Sequence, residues 1–393
     1  MLFQSLDDNK FLGVYVSGAV YRDSIPNGLS KTWRYCAYLP PEDIIYANLY
    51  CGGKSLSEAC PDSLSSEWSQ ISGRIKAHLD ACRTAQVDLQ DNSFFDLIPS
   101  KLLVDFCEIK NRITEHVLIN YIKPTNYEFL CELEGLLSSI RQRKINLDLE
   151  AIKPHTISAH ARMSYKKLKN ASRVVDYDAF KSKTGRLTTK RESFPILTLN
   201  KQLRGSIKPN NDHFIELDFN AAELRTLLAL SGGSQPANDI HEWNAENIYN
   251  GLTREEAKKR IFAWLYNPES SDHTSSKIYD REKVLQKYFT GDQVTTFFDR
   301  KIPADQHHAL NYIIQSTTSD LLLKRAIEIG KLLQGKKSYI AFTLHDSVIV
   351  DYAEEDSHML RNIVDTFRAT DLGEYVVNVS VGDSFGTMKR LNL

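Results

Sequence analysis

The sequence has little that would direct the chain into or across a membrane. No apolar run approaches the roughly 18–20 residues that a membrane-spanning helix requires. The first residues, MLFQSLDDNKF, have neither the basic stretch nor the apolar stretch of a secretory signal. We therefore expect a soluble, cytoplasmic protein with no membrane partner.

Cysteine pairs with the spacing of a zinc site are also missing. None of the six cysteines belongs to a C-x2-C motif, and all of them lie in the first third of the chain. In a reducing cytoplasm such cysteines are expected to be free thiols. The sequence favours this state over zinc or disulfides for Cys36, Cys51, Cys60, Cys82, Cys107 and Cys131.

The overall charge balance is close to neutral, but the charge is unevenly distributed. The chain has 393 residues, enough for two or three cores. Of these, 42% are hydrophobic and 25% charged, as is usual for globular proteins. Residues 141–208 contain seventeen Lys or Arg and five Asp or Glu, whereas the whole chain has a net charge of −1. This basic segment favours nucleic-acid binding over its alternative, a solvated helix face.

Two aspartates lie at the ends of predicted strands. TLHDSVIVD, residues 343–351, reads as a hairpin with Asp346 at its tip, and Asp218 ends the apolar strand FIEL. Each aspartate alone is explained as a cap or turn residue. On adjacent strands of one antiparallel sheet, however, the two carboxylates can share a pair of divalent ions. Hard oxygen ligands favour Mg²⁺ over zinc.

Apolar spacing predicts the main helices and strands. Residues 1–95 contain the strand-like pieces FLGVYVSGAVY and TWRYCAYL and a short helical stretch. Two helices are predicted on either side of Pro124, and one long helix before the hairpin at 343–351.

A helix predicted between its N-cap Thr253 and its stop at Pro268 has charged and aromatic residues at a spacing of four. Arg254, Lys258, Phe262 and Tyr266 form a stripe on one face of this helix. Two cations followed by two rings would suit a nucleoside triphosphate that lies along the helix. The alternative is an amphipathic helix with the two rings in the core and the two cations in water.

The sequence contains six short segments in the following order: KTGRLTT (183–189), DFNAAELR (218–225), DIH (239–241), the stripe on residues 254–266, NYIIQSTTSDLLLKR (311–325) and HDS (345–347). Together they resemble the motifs of family-A DNA polymerases, the DNA polymerase I-like enzymes. The third motif of that family is usually His-Asp-Glu, and its first motif places a Glu five residues after a metal-binding Asp. The resemblance covers residues 97–393.

The resemblance implies a two-metal site for nucleotidyl transfer. Asp218, Asp346 and the carbonyl of Phe219 would hold two Mg²⁺ ions, with Mn²⁺ as a substitute. Lys258 would bind the triphosphate and protonate the leaving pyrophosphate. The aspartates and Lys258 are therefore the expected catalytic residues.

The resemblance also assigns the binding residues. Arg254 and His241 would contact the phosphates, while Glu223 and Tyr266 would exclude a ribose 2′-hydroxyl. Phe262, in place of Tyr, implies poor use of dideoxynucleotides. Four residues would contact the DNA near the primer terminus: Arg186, Asn311, Gln315 and His345.

Three residues depart from the family pattern. Ser347 stands where most family members have Glu, Asn267 where Gly is usual, and His307 where Arg is common. HDS also resembles single-subunit RNA polymerases, so an RNA-synthesising or primer-making enzyme is one alternative, which Glu223 and Phe262 oppose. A catalytically silent DNA-binding scaffold is the second, and a two-metal nuclease the third. Both aspartates and Lys258 oppose the scaffold, because a scaffold does not need them.

The sequence thus predicts an α+β right-hand DNA polymerase with an antiparallel-sheet palm and helical fingers and thumb. It would be a phage-type enzyme in the host cytoplasm, without an evident proofreading exonuclease. Primer-template DNA and dNTPs are the expected partners, with other replication proteins as further ones. The predicted regions are an N-terminal module of unknown role (1–95), the thumb (96–172), a first palm segment (173–238), the fingers (239–305) and a second palm segment (306–393).

Overall fold

The computed structural model describes most of the chain. The described residues are 1–7, 13–22, 24–39, 44–88, 92–155, 158–267, 270 and 272–391. The chain divides into two compact units, Met1–Ser139 and Ile140–Leu393. The boundaries of palm, fingers and thumb are predictions from the sequence alone.

The first unit combines short strands with long helices. Strands β1–β3 form an antiparallel sheet, whereas β4 and β5 pair in parallel. The helices share an apolar core that includes Trp33, Trp68 and Ile113. All six cysteines are free thiols. The elements are β1 (Phe3–Ser5), β2 (Val14–Val16), β3 (Ala19–Tyr21), β4 (Lys31–Thr32), β5 (Ile45–Tyr46), α1 (Ala47–Tyr50), α2 (Leu56–Ala59), α3 (Asp62–Thr84), α4 (Ser100–Asn120) and α5 (Tyr127–Arg141), the last of which extends two residues into the second unit.

Two expectations for the first 95 residues were wrong. The sequence suggests only a short helical stretch there, but α3 has 23 residues. Its apolar residues do recur at helical spacing, as Leu64, Trp68, Ile71 and Ile75 show, so the sequence contained the signal for this helix. TWRYCAYL was expected to be strand-like, but only its first residue belongs to a strand, because β4 ends at Thr32. By contrast, the predicted helices on either side of Pro124 are present as α4 and α5.

The second unit is built around a five-stranded antiparallel sheet. Its strand order is β13-β14-β10-β17-β18, so the hairpin β13–β14 lies beside β10. The strands of the second unit are β6 (Asn146–Leu147), β7 (Tyr177–Asp178), β8 (Thr188–Thr189), β9 (Ile207–Lys208), β10 (His213–Phe219), β11 (Gln293–Thr295), β12 (Lys301–Pro303), β13 (Tyr339–Leu344), β14 (Ser347–Tyr352), β15 (Ala369–Thr370), β16 (Gly373–Glu374), β17 (Val377–Gly382) and β18 (Lys389–Leu391).

Helices α7 to α12 pack around one apolar core. Leu224 of α7, Ile261 of α9 and Ile313 of α12 are all fully buried in it. This shared core fixes the position of α9 relative to the start of α7. The helices of the second unit are α6 (Ala159–Lys169), α7 (Ala222–Ser231), α8 (Ile240–Asn247), α9 (Arg254–Tyr266), α10 (His273–Tyr279), α11 (Arg281–Tyr288), α12 (Gln306–Leu332) and α13 (Leu360–Arg368).

Helix boundaries in the second unit follow the sequence signals. Thr253 caps α9 in a reciprocal capping box with Glu256, as the sequence predicts. Gly232, with φ +90°, ends α7, and its positive φ is one that glycine adopts without strain. The long helix predicted before the hairpin is present as α12. Pro268, the predicted stop of α9, lies outside the described residues. No helix in the described part of the chain is long and apolar enough to cross a membrane.

Candidate active site

The two aspartates meet at one end of the five-stranded sheet. Asp218 pairs with Ser347 across β10 and β14, and Leu344 pairs with Ser347 across the hairpin. The hairpin turn therefore consists of His345 and Asp346, and His345 has a φ of +52°, as primed hairpin turns require. Asp346 thus directly precedes the residue that lies opposite Asp218.

The two carboxylates lie where ionisation is unfavourable without a cation. Burial, followed by the charges of Glu216 and Asp346, raises the pKa of Asp218 to about 6, although a hydrogen bond from Asn378 opposes this. Burial also raises the pKa of Asp346, against the opposing charges of Arg186 and His345. A bound divalent cation would offset both effects.

The donor set fits a hard cation with few protein ligands. Asp218 accepts a hydrogen bond of 3.2 Å from the Nδ2 of Asn378, and the carbonyl of Phe219 follows on the same strand. Across the described ranges, no group of three or more His, Cys, Asp or Glu side chains could hold a metal ion. Two carboxylates and a backbone carbonyl suit Mg²⁺, which keeps several of its waters.

A tight turn joins the strand of Asp218 to helix α7. Ala221 adopts a left-handed conformation, with φ +50°, and α7 begins at the next residue. Glu223 therefore lies in the first turn of α7, and its side chain is only 8% exposed. Its carboxylate accepts hydrogen bonds from the guanidinium of Arg186 and from the hydroxyl of Tyr266. Burial and the Glu223 carboxylate raise the pKa of that hydroxyl.

Of the two rings in the stripe on α9, Phe262 packs against the apolar core, as the amphipathic alternative expects, whereas Tyr266 is exposed. Helix α9 buries a different face, formed by Ala257, Ile261, Trp264 and Leu265. Phe262 is half-buried and Tyr266 is 46% exposed. Their rings are parallel, with centroids 6.0 Å apart. Lys258 and Arg254, one and two turns before Phe262, are also half-buried.

Arg254 is held by a carboxylate to which the sequence motifs assign no role. Its Nη2 donates to the Oδ2 of Asp239 at 2.8 Å, and its Nη1 donates to Glu255. His241 is 3% exposed, and its Nδ1 finds no hydrogen-bond partner among the described residues. Burial, followed by the charges of Lys258 and Arg254, lowers the pKa of His241 to about 4. His241 is therefore neutral at physiological pH.

The expected DNA-contacting residues lie at two places in the second unit. Arg186, His345 and Asp346 line one cavity of about 240 Å³. Asn311 lines another cavity of about 520 Å³, together with Tyr266. Gln315 lies one turn further along α12 and is half-buried.

The three departures occupy ordinary structural positions. The hydroxyl of Ser347 donates to the carbonyl of Leu344 at 2.9 Å, so it closes the hairpin turn. Asn267 ends α9, and its carbonyl accepts a hydrogen bond of 3.0 Å from Arg281. His307 lies in the first turn of α12 and lines the larger cavity.

Sequence reasoning gave no role to a fully buried arginine, the last residue of the first motif. Arg225 donates hydrogen bonds to the carbonyls of Asn220, Pro236 and Asn238, and to the side chains of Asn220 and Gln235. It is 0% exposed, and burial lowers its pKa. The available signal was a charged residue just before the apolar run of α7, at a position on the buried side of the helix. These hydrogen bonds connect the turn at Asn220 to the segment before α8.

A buried ion pair lies beside the residue that precedes Arg186. Asp320 of α12 is 1% exposed and pairs with Arg300 at 2.6 Å. Gly185 has a φ of +75°, and a Cβ added there would lie 2.6 Å from the Arg300 guanidinium. Only glycine therefore permits this approach, and it fixes the residue before Arg186. No local sequence pattern indicates that residues 185, 300 and 320 meet.

Comparison with known proteins identifies the fold. No protein-family model and no curated protein sequence matches the chain. Among solved structures, it is similar to the POL domain of Pol1 from M. smegmatis, in complex with DNA primer-template and dNTP. The TM-score is 0.60 at 11% sequence identity, over 73% of this chain and 76% of the other. The chain therefore has a mixed α and β fold that resembles a DNA polymerase domain.

Proposed function

We propose that the chain is a template-directed DNA polymerase that adds dNTPs to a primer 3′ end. One observation carries the proposal: Asp218 and Asp346 lie at adjacent strand ends, beside a helix that presents Arg254, Lys258 and Tyr266. The structural similarity to a polymerase domain with bound primer-template and dNTP supports it. The six sequence motifs of the family-A type support it independently. In this assignment the five-stranded sheet is the palm, and α8 to α11 are the fingers.

Asp218, Asp346 and the carbonyl of Phe219 would hold two divalent ions. Such ions, when bound, neutralise phosphate charge and favour ionisation of the primer hydroxyl. The protein's own contribution is to hold both carboxylates in place on paired strands before the ions arrive. Burial raises the pKa of both carboxyl groups, and a bound cation would offset this effect.

The remaining residues would bind and orient the nucleotide. Lys258 and Arg254 present cations on the half-buried face of α9, where they would bind the triphosphate. Lys258 would also give a proton to the leaving pyrophosphate. Phe262 and Tyr266 present parallel rings for the base and the sugar.

The hydrogen bond between Tyr266 and Glu223 would select deoxyribose. A ribose 2′-hydroxyl placed there would have to compete with Tyr266 or Arg186 for a carboxylate that both already engage. A crowded, hydrogen-bonded site of this kind rejects an extra hydroxyl more strongly than an apolar pocket would.

The basic segment 141–208 would contact the DNA backbone. Helix α6 in this segment exposes Lys166, Lys167 and Lys169. Contacts between lysines and phosphates are independent of sequence and weaken steeply with salt. Selection of the incoming base would then depend on pairing with the template.

Primer extension with Mg²⁺ tests the proposal, with dNTPs compared with rNTPs. The result expected is extension with dNTPs, lost in Asp346→Ala. Ser347 favours the RNA-synthesising alternative, so equal or better use of rNTPs would support that enzyme instead. Salt-sensitive binding to primed DNA without any extension would contradict the proposal and favour a scaffold.

A further inference from the structure

The carboxylate of Asp239 connects the strand end of Asp218 to helices α8 and α9. Its Oδ1 accepts hydrogen bonds from the amides of His241 (2.8 Å) and Glu242 (3.1 Å), which caps α8. Its Oδ2 accepts hydrogen bonds of 2.8 Å from the Nδ2 of Asn220 and from the Nη2 of Arg254. One side chain thus makes four hydrogen bonds to three separate segments.

Asn220 completes the connection on the other side. It lies two residues after Asp218, in the turn that leads to α7. Its Oδ1 accepts hydrogen bonds from the amide of Ile240 at 3.1 Å and from Arg225 at 3.2 Å. Asn220 and Asp239 together satisfy the first three amides of α8. The start of α8 is therefore fixed to the turn that follows Asp218.

This arrangement keeps Asp239 charged and Arg254 oriented. Burial alone would raise the pKa of Asp239, but hydrogen bonds from Arg254, Asn220 and the two amides hold it well below its usual range. A guanidinium has five N–H donors in a rigid fork. With its Nη2 held by Asp239, further donors of Arg254 stay available to a phosphate.

We propose that Asp239 is a positioning residue for the incoming nucleotide. It fixes the guanidinium of Arg254, and the start of the helix that carries His241, relative to the turn after Asp218. The triphosphate then meets cations already placed at a set distance from the carboxylates, without an ordering cost at binding. This inference rests on the proposed polymerase function and adds a residue to its nucleotide site.

A purely structural role for Asp239, as the cap of α8, is separable by substitution. Asparagine is as good an N-cap as aspartate, so Asp239→Asn keeps an oxygen for the amides of His241 and Glu242. It removes the charge that Arg254 faces. A matched control is Glu255→Gln, which makes the same charge change at the other carboxylate that Arg254 contacts. Glu255 is 67% exposed, and such surface pairs contribute little.

The experiment measures equilibrium binding of the correct dNTP to the protein on a primer-template whose primer lacks a 3′-hydroxyl. Quenching of a fluorescent template base reports binding. Steady-state KM and kcat are measured on an extendable primer, and thermal unfolding shows whether each variant is folded. The variants are D239N, E255Q, R254A and the double variant D239N/R254A.

The expected result is a dNTP Kd raised about tenfold or more in D239N, with KM raised in parallel and kcat changed much less. E255Q should stay within about twofold of the unaltered protein. In the R254A background, D239N should add little, because its effect acts through Arg254.

Two results would overturn the inference while leaving the polymerase function intact. One is an unchanged dNTP Kd in folded D239N. The other is an equal loss from D239N with and without Arg254, which would mean a role that does not pass through Arg254. If the unaltered protein neither binds a dNTP nor extends a primer, the proposed function fails, and this inference fails with it.

Discussion

The hydroxyl of Tyr266 donates a hydrogen bond to the buried carboxylate of Glu223. This contact joins the last turn of α9 to the first turn of α7, a helix that begins shortly after Asp218. The residue expected to contact the sugar is therefore connected to the helix that follows the strand of Asp218. Any change in this pair should affect the choice of sugar before it affects the choice of base.

Glu223→Ala should weaken discrimination against ribonucleotides. Without the carboxylate, a 2′-hydroxyl gains room and competes with no existing hydrogen bond, so the ratio of kcat/KM for dNTPs over rNTPs should fall about 10- to 100-fold. Single-nucleotide incorporation with each substrate measures it. Glu246→Ala, an exposed glutamate on α8, is the control. An unchanged ratio in E223A would remove Glu223 from sugar selection.

The pH dependence of stability should reveal the unfavourable ionisation of Asp218 when divalent ions are removed. Its folded pKa of about 6 lies above its ordinary value of 3.8. The stability it contributes is therefore fully present below about pH 4 and is lost as the pH rises through 6. From pH 4 to 7 this loss is about 2 kcal/mol. Urea unfolding of the unaltered protein and Asp218→Asn in EDTA measures the difference.

At pH 7 in EDTA, Asp218→Asn should thus be more stable than the unaltered protein, and Mg²⁺ should reduce the gap. Asp292→Asn makes the same charge change at an exposed site and should show neither effect. Equal stability of the Asp218 variant and the unaltered protein at both pH values would contradict the burial argument.

Arg225→Met should destabilise the fold by about 3–5 kcal/mol. The methionine fills much of the space but leaves the carbonyls of Asn220, Pro236 and Asn238 without their buried donor. Urea unfolding followed by circular dichroism measures the change. Lys259→Met, on the exposed side of α9, should shift the free energy of unfolding by less than about 0.5 kcal/mol. Similar values for both variants would show that the buried network is dispensable.

Gly185→Ala should impair the protein through Arg300 and Arg186. The added Cβ would meet the Arg300 guanidinium at a position where φ is +75°, so both the backbone and the Arg300–Asp320 pair must shift. We expect a loss of about 1–3 kcal/mol in stability and weaker primer extension. Gly335→Ala is the matched control, because its φ is also +75° and nothing lies within 4 Å of its added Cβ. A loss in G185A no larger than that in G335A would mean that Arg300 can move away freely.

The elements with strong local signals could be predicted from the sequence. The hairpin at 343–351 follows from two apolar strands around a two-residue turn, and α9 from its capping box at Thr253. These features depend on neighbours a few residues apart. The meeting of Asp218 and Asp346 was predictable only because adjacent strands were assumed, and the register of β10 and β14 confirms that assumption.

The contacts that orient the site could not be predicted, because they join residues far apart in the chain. The sequence shows Asp239 only as the first residue of DIH, whereas its structural role depends on hydrogen bonds from Asn220 and Arg254. The approach of Gly185 to Arg300 depends on the packing of α12. Such long-range polar contacts leave no periodic pattern in the sequence, so only the fold reveals them.

Template-directed DNA synthesis at Asp218 and Asp346 is tested by single-nucleotide incorporation with Mg²⁺. Four primer-templates that differ only in the templating base are each offered all four dNTPs separately. We predict that the unaltered protein adds the complementary dNTP on every template, and that Asp218→Asn and Asp346→Asn bind primed DNA but add nothing. Incorporation that ignores the templating base, or that persists in both variants, would contradict templated synthesis at these two aspartates.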